Sequence, residues 1–223
     1  MRILALTAVD VEARGLARHL GLDRVAGSGW PHYRGGRLEV ACVGLRAGAL
    51  AERVRACATP DLVVSAGACG ALAPSLSPGA PVIPETVVDA GGARLATDPV
   101  PGLARAGTLL TVPDVVESAA AKARLWVETG ALAVDMESAP IVAWARSRGL
   151  AAAVVRAVAD AAADAVPADV AALVEPGGRV RTASALRAAL ARPRLVAEAL
   201  SLGRGTSAAV RTVAATLARM AAS

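Results

Sequence analysis

The run Ala133–Ala139, AVDMESA, sets two carboxylates, Asp135 and Glu137, two residues apart, and a third, Asp160, follows twenty-three residues after Glu137 in the run RAVAD. Each group sits at the end of a short apolar stretch, Ala131–Asp135 and Ala151–Val158, of the kind that forms a strand buried on both faces. Carboxylates delivered by strand ends to the open edge of a parallel sheet can stabilise developing positive charge, bind hydroxyl groups or hand over a proton. Asp160 is flanked by Val158, Ala159, Ala161 and Ala162. A free aspartate titrates near 3.9, and an apolar setting raises that value toward the range of a useful acid. Its bland alternative is a pair with Arg156 or a cap on the following turn. For Asp135 the bland reading is preferred: a carboxylate satisfying N–H groups at the start of the next helix.

A fourth acidic group, Glu12, lies in TAVDVEARGL just after the first apolar run. On its own it reads as a surface charge complementing a helix dipole, with Asp10 as the N-cap. Two glycine-bearing segments, Gly44–Gly48 with Arg46 inside it and Gly67–Gly70 with Ala68 inside it, offer backbone amides that can cradle phosphate or ribose oxygens.

The elements that must position these groups alternate. Strands are expected over Arg2–Ala8, Arg37–Val43, Asp61–Ala66, Ala80–Val88 (interrupted by Pro84), Ala131–Asp135 and Ala151–Val158. Helices are expected over Val11–Leu20, Gly48–Cys57, Glu117–Thr129 and Ser138–Arg148, while Gly91–Pro101 reads as loop. Strands alternating with helices imply a mainly parallel, covered sheet. After Ala168 the strand signals stop. In the last helix Val210, Val213, Leu217 and Met220 share a face that Arg211 and Arg219 leave.

Composition narrows the class. The chain has 223 residues, 55% of them hydrophobic, no phenylalanine, and Trp30, Tyr33, Trp126 and Trp144 as its only aromatic residues. Cys42, Cys57 and Cys69 form no CxxC pair, which argues for a reducing compartment and against structural zinc. The stretch Ile3–Val9 is too short for the apolar region of a signal peptide, and the uncharged stretch Leu62–Pro84 is broken by four prolines and three glycines. The expectation is a cytoplasmic protein. The net charge of +5 is uneven: from Pro176 onward eight arginines face Glu198 alone, giving +7 there and −2 elsewhere. Such a tail suits an anionic surface, although solvated helix faces explain it as well. No aromatic residues alternate with these arginines, so nucleic-acid binding by base stacking is not expected.

These motifs resemble the purine nucleoside phosphorylase and nucleosidase superfamily, in which VDMESA-like and R-A-x-x-D segments carry the chemistry. The resemblance covers roughly residues 1–164. It implies a three-layer α/β/α fold with a central mixed twisted sheet, here followed by C-terminal helices: a catalytic domain over 1–175 and a basic helical extension over 176–223. It assigns the catalytic acid to Asp160, water activation to Glu12 as in hydrolytic members, and the ribose hydroxyls to Glu137 with Met136 beside it. It places a phosphate or ribose loop at Gly44, Arg46, Gly67 and Ala68, and the base pocket near Val115 and Val116. The chain departs from relatives in having Ala159 before the acid and Ala68 in the second loop, where serine is common. Within the superfamily the strings Ser118…Lys122-Ala123, Thr129–Ala131 and Glu175–Val180 are most similar to the hopanoid-associated phosphorylases. That likeness implies release of adenine from adenosylhopane, by phosphate or water, with a lipid-bearing nucleoside as substrate and the basic tail on an anionic inner-membrane surface. The alternatives are a small soluble nucleoside (methylthioadenosine, S-adenosylhomocysteine or futalosine) and a non-catalytic, membrane-associated binding protein. No metal or organic cofactor is implied, inorganic phosphate being a co-substrate at most, and a homodimer is expected.

Overall fold

The computed structural model describes residues 1–166, 175–179 and 193–222. Strand β1 (Ile3–Thr7) enters a helix α1 (Asp10–Leu20), and an antiparallel set follows: β2 (Asp23–Arg24), β3 (His32–Gly35) and β4 (Leu38–Cys42). The expected helix over Gly48–Cys57 is reduced to a short α2 (Leu50–Arg53) and a 3-10 turn at Val54–Ala56, with another 3-10 turn at Leu45–Ala47 before it. Next come β5 (Leu62–Ala71), β6 (Pro81–Val82), β7 (Thr86–Val88), β8 (Arg94–Ala96) and β9 (Thr108–Thr111). The chain continues through α3 (Ala119–Thr129), β10 (Ala133–Asp135), α4 (Ser138–Arg146), β11 (Ala151–Asp160) and α5 (Pro193–Ala222). The strand expected over Ala80–Val88 is thus split around Pro84. The loop reading of Gly91–Pro101 missed the short β8.

The sheet is mixed, in the order β2-β3-β4-β1-β5-β10-β9-β7-β8, with β11 pairing β5 and β6. β5 is its axis. It runs parallel to β1 along one edge and to β11 along the other, and its far end at Gly70–Ala71 pairs antiparallel with β10. The segment Gly67–Gly70, expected as a turn, is therefore the second half of a strand. The partner β11 pairs with β5 from Leu62 to Cys69 and, after a register shift, sets Asp160 opposite Gly70.

Side chains alternate between two cores, as a strand covered on both faces requires. Along β1, Ile3 and Ala5 pack with α1 and α5, against Leu16, Val213 and Leu217. Leu4 and Leu6 point the other way, toward Leu50 of α2 and Ile141 and Val142 of α4. The apolar face of α5 is buried at Val210, Val213, Leu217 and Met220, while Arg211 and Arg219 stay exposed, as its periodicity predicts. α5 thus belongs to the first core rather than merely lying beside it. Among the described residues no helix is long and apolar enough to cross a membrane.

Small residues let α5 approach β11 closely. A methyl group on Gly205 would overlap the carbonyl oxygen of Ala159, the residue before Asp160. Gly205→Ala is therefore expected to destabilise the fold by about 1–3 kcal/mol, the usual cost of overpacking. Urea denaturation measures it, and an unchanged midpoint would show that α5 shifts freely over β11.

Candidate active site

The carboxylates converge because β1, β5, β10 and β11 end close together. At their centre is Arg156 of β11, 1% exposed and buried in the sheet. Its guanidinium lies 2.8 Å from Asp135 Oδ2 and 3.5 Å from Glu137 Oε2, and it donates to Ser65 Oγ at 2.9 Å and to the Ala68 carbonyl at 3.2 Å. Burial works against its charge, but the neighbouring Asp135, Glu137 and Glu12 outweigh that and raise its pKa. By sequence Arg156 opens the R-A-x-x-D segment and is an alternative partner for Asp160. That pairing does not occur: Asp160 bonds Lys122 instead. A single cation between Val155 and Ala157, in a run buried on both faces, was a signal that an anionic partner must exist.

Asp135 takes the structural role preferred for it. Oδ1 accepts from Thr111 Oγ1 at 2.7 Å, and Oδ2 accepts from Ser138 N at 3.1 Å and Ser138 Oγ at 2.5 Å. It thereby ties β9 and the first turn of α4 to Arg156. Glu137, the N-cap residue of α4, is 4% exposed and points inward. Oε1 accepts from the Arg46 amide at 3.1 Å. Burial pushes its carboxyl up to about 7, against the pull of Arg156 and with repulsion from Asp135 and Glu12. Met136 between them is half-buried.

Glu12 is no surface charge. It is 4% exposed; Oε2 accepts from the Ala8 and Val9 amides at 3.2 and 3.3 Å, and Oε1 from the Ala68 amide at 2.7 Å. It thus covers the open N-terminus of α1, the task expected of Asp10. The N-cap residue is Val9, and Asp10 instead pairs with Arg14 at 2.7 Å. Burial raises the Glu12 pKa, opposed by the Arg156 charge and these three amides. Gly67 makes this meeting sterically allowed. Its φ of +146° is one that side chains rarely adopt, and a Cβ there would lie 2.6 Å from Glu12 Oε1 and 2.9 Å from Arg156 Nη1.

Asp160 stands at the rim, its side chain 14% exposed, just past an irregularity in the β11 register between Val158 and Asp160 that re-aims the end of the strand. Oδ2 accepts a hydrogen bond from Lys122 Nζ. Burial raises the Asp160 pKa, opposed by Lys122. Gly70 opposite leaves room, since a Cβ there would come within 2.9 Å of Asp160 Oδ2. By sequence Lys122 has no role of its own beyond its place in the segment Ser118–Ala123.

The first glycine segment is already engaged. The Leu45 amide donates to Pro176 O at 3.0 Å, the Arg46 amide to Glu137, and the Ala47 amide to Gly44 O at 3.1 Å. The Arg46 side chain reaches away to Pro113 O at 2.5 Å and Asp114 Oδ1 at 2.9 Å. The segment Glu175–Arg179 lies across this turn and across the β1–α1 junction, where Asp10 N donates to Gly178 O at 2.8 Å. Val115 and Val116 are half-buried in the loop before α3, and Val116 packs against the small cluster of Leu72, Leu110, Ala131 and Val134.

Residues 103–193, the stretch that carries Asp135, Glu137, Arg156 and Asp160, match the phosphorylase superfamily. No curated protein matches the sequence. Three solved structures share the whole architecture. The 5′-methylthioadenosine nucleosidase of Arabidopsis thaliana in apo form superposes with a TM-score of 0.71 at 17% identity, covering 98% of this chain and 93% of its own. The 5′-methylthioadenosine/S-adenosylhomocysteine nucleosidase of Neisseria meningitidis, in complex with methylthio-immucillin-A, gives 0.69 at 19% identity over 99% and 98%. The futalosine hydrolase of Helicobacter pylori gives 0.69 at 16% identity over 99% and 97%. The fold is therefore that of nucleoside phosphorylases and nucleosidases, as the sequence motifs led us to expect.

Two outcomes follow from the buried charges. Arg156→Met leaves Asp135 and Glu137 without their counter-ion and is expected to cost about 3–5 kcal/mol in denaturant unfolding. Glu137 binds its proton more tightly folded than unfolded. Its contribution is therefore fully present below about 4.5 and is lost as pH rises through about 7. Glu12 and Asp160, also raised, act in the same direction. The urea midpoint should fall between pH 5 and 7.5, and fall less steeply in Glu137→Gln; equal slopes would contradict this assignment.

Proposed function

We propose that this protein is an enzyme that hydrolyses the N-glycosidic bond of a small purine nucleoside of the methylthioadenosine, S-adenosylhomocysteine or futalosine class. The observation that carries this reading is the convergence of Glu12 and Glu137 on Arg156, with Asp160 at the rim of the same strand ends. In the proposed reaction Glu137 accepts hydrogen bonds from the ribose hydroxyls, which strengthen as positive charge builds on the sugar. Asp160 protonates the departing purine, and Glu12, its basicity increased by burial, takes a proton from the attacking water. Acid, base and ribose carboxylate all come from the chain, so no metal or organic cofactor is invoked. Water is favoured over phosphate because the Arg46 guanidinium and the amides of Leu45, Arg46, Ala47 and Ala68 already have partners within the chain. The nucleosidase and futalosine hydrolase relatives of this fold support the small-nucleoside reading over the lipid one.

Adenosylhopane is the second reading. Its support is the exposed Arg204, Arg211 and Arg219 on α5, a basic surface suited to anionic lipid headgroups near such a substrate.

Release of free purine base from methylthioadenosine, S-adenosylhomocysteine, futalosine and detergent-dispersed adenosylhopane, each with and without phosphate, separates the two. Turnover of a soluble nucleoside without phosphate is expected, with Asp160→Asn and Glu12→Gln each slowing it by about 10²–10⁴-fold, the usual worth of a general acid or base. Phosphate-dependent turnover would reduce Glu12 to a cap on α1. Turnover of adenosylhopane alone would install the second reading, and none with folded protein would overturn both.

A further inference from the structure

Lys122 is an unusual residue in its setting. It lies on α3, yet its side chain is 1% exposed, and its ammonium donates to Asp160 Oδ2, to Ala161 O at 2.9 Å and to Asp164 O at 2.9 Å. Three donors meet three acceptors. Two of these are carbonyls of the turn that follows β11, so the same ammonium that grips Asp160 also fixes the chain leaving it. The turn is closed independently by Asp164 Oδ2, which accepts from the Ala161 amide at 2.8 Å. Asp160 Oδ1 has no hydrogen-bond partner among the described residues. The carboxyl group therefore has one oxygen held and the other left to act.

We infer that Lys122 is a positioning residue for Asp160: it fixes Oδ2, presents Oδ1 to the substrate base, and balances the charge that remains once the proton has gone. The inference rests on the proposed hydrolysis. In that step the proton on Asp160 Oδ1 passes to a ring nitrogen of the purine. The bond between the base nitrogen and the ribose carbon breaks, and its electron pair goes to the base. The water oxygen bonds to the ribose carbon as Glu12 takes the water's proton, leaving Asp160 as a carboxylate and Glu12 as a carboxylic acid. Solvent exchange returns both to their starting states. A carboxylate formed in so buried a place is costly unless a cation stands beside it, and Lys122 is that cation. It also limits how far burial can weaken Asp160 as an acid. The other ionisable groups within its reach are Asp164, from the turn, and the buried Cys69 thiol of β5.

The test is a titration of the Asp160 carboxyl carbon by NMR in protein labelled at aspartate, with Asp160→Asn identifying the resonance. An opposite charge at this range lowers a carboxyl pKa by about 1–3 pH units, so Lys122→Met should raise the Asp160 midpoint by that amount. Lys122→Arg, which keeps the charge, should leave it close to the wild-type value. In turnover, the alkaline limb of kcat/KM should move upward with the midpoint in Lys122→Met while the plateau rate falls. A purely structural lysine would lower the rate without moving either titration, and that result overturns the inference. Should Lys122→Met fail to fold, Lys122→Gln, which keeps a polar side chain but not the charge, provides the same measurement: the Asp160 midpoint should rise likewise, and an unchanged midpoint again overturns the inference. The carboxyl titration needs no turnover. An absence of purine release would thus count against the proposed hydrolysis, while the Lys122–Asp160 coupling would be decided separately.

Discussion

A guanidinium buried in the middle of a sheet sets the terms for everything around it. Arg156 cannot stay charged at 1% exposure without anions and hydrogen-bond acceptors at close range. Asp135, Glu137, Ser65 and the Ala68 carbonyl meet that demand from β10, α4 and β5. Asp135 is fully committed, through Thr111 and Ser138, to holding strands and helix in place. Glu137 is held less tightly, by one amide and a long contact to Arg156, and so retains the capacity to bind something else. The division of labour between two acidic residues in one short motif thus follows from geometry around a single cation.

The same logic separates Glu12 from Asp160. Glu12 is enclosed, tied by three amides and biased by a cation it does not directly bridge. Asp160 is at the rim, bonded to a lysine and with one oxygen uncommitted. Two carboxyl groups, one in the first turn of α1 and the other at the end of β11, thereby have different neighbours and different access to solvent, which is the condition for one to act as acid and the other as base.

Much of this was legible in the sequence where chemistry coincides with strand ends. Asp135, Glu137 and Asp160 stand out because each closes an apolar run, and β1, β4, β10 and β11 were placed to within a residue or two. What was not legible depended on partners distant in the chain. Arg156 reads as an isolated charge until Ser65 and Asp135 are brought to it. Lys122 reads as an ordinary helix residue until the turn after β11 folds over it. Gly67–Gly70 has the composition of a turn, but its glycines serve instead to admit Glu12 and Asp160 beside an unbroken strand. The strands β2, β3 and β8 are short and partly exposed, with sequences DR, HYRG and RLA that carry too little apolar alternation to announce themselves.

The close contact of α5 with β11 bears on how the protein comes to be made. During synthesis β11 emerges before α5, so the face of β11 that carries Ala153, Val155 and Ala157 has no covering helix until the later residues arrive. Until then Asp160 belongs to a strand seated on one side only. A nascent chain that already contains every residue of the site therefore still lacks the site. It exposes an apolar strand face of the kind that chaperones bind and that neighbouring chains aggregate through.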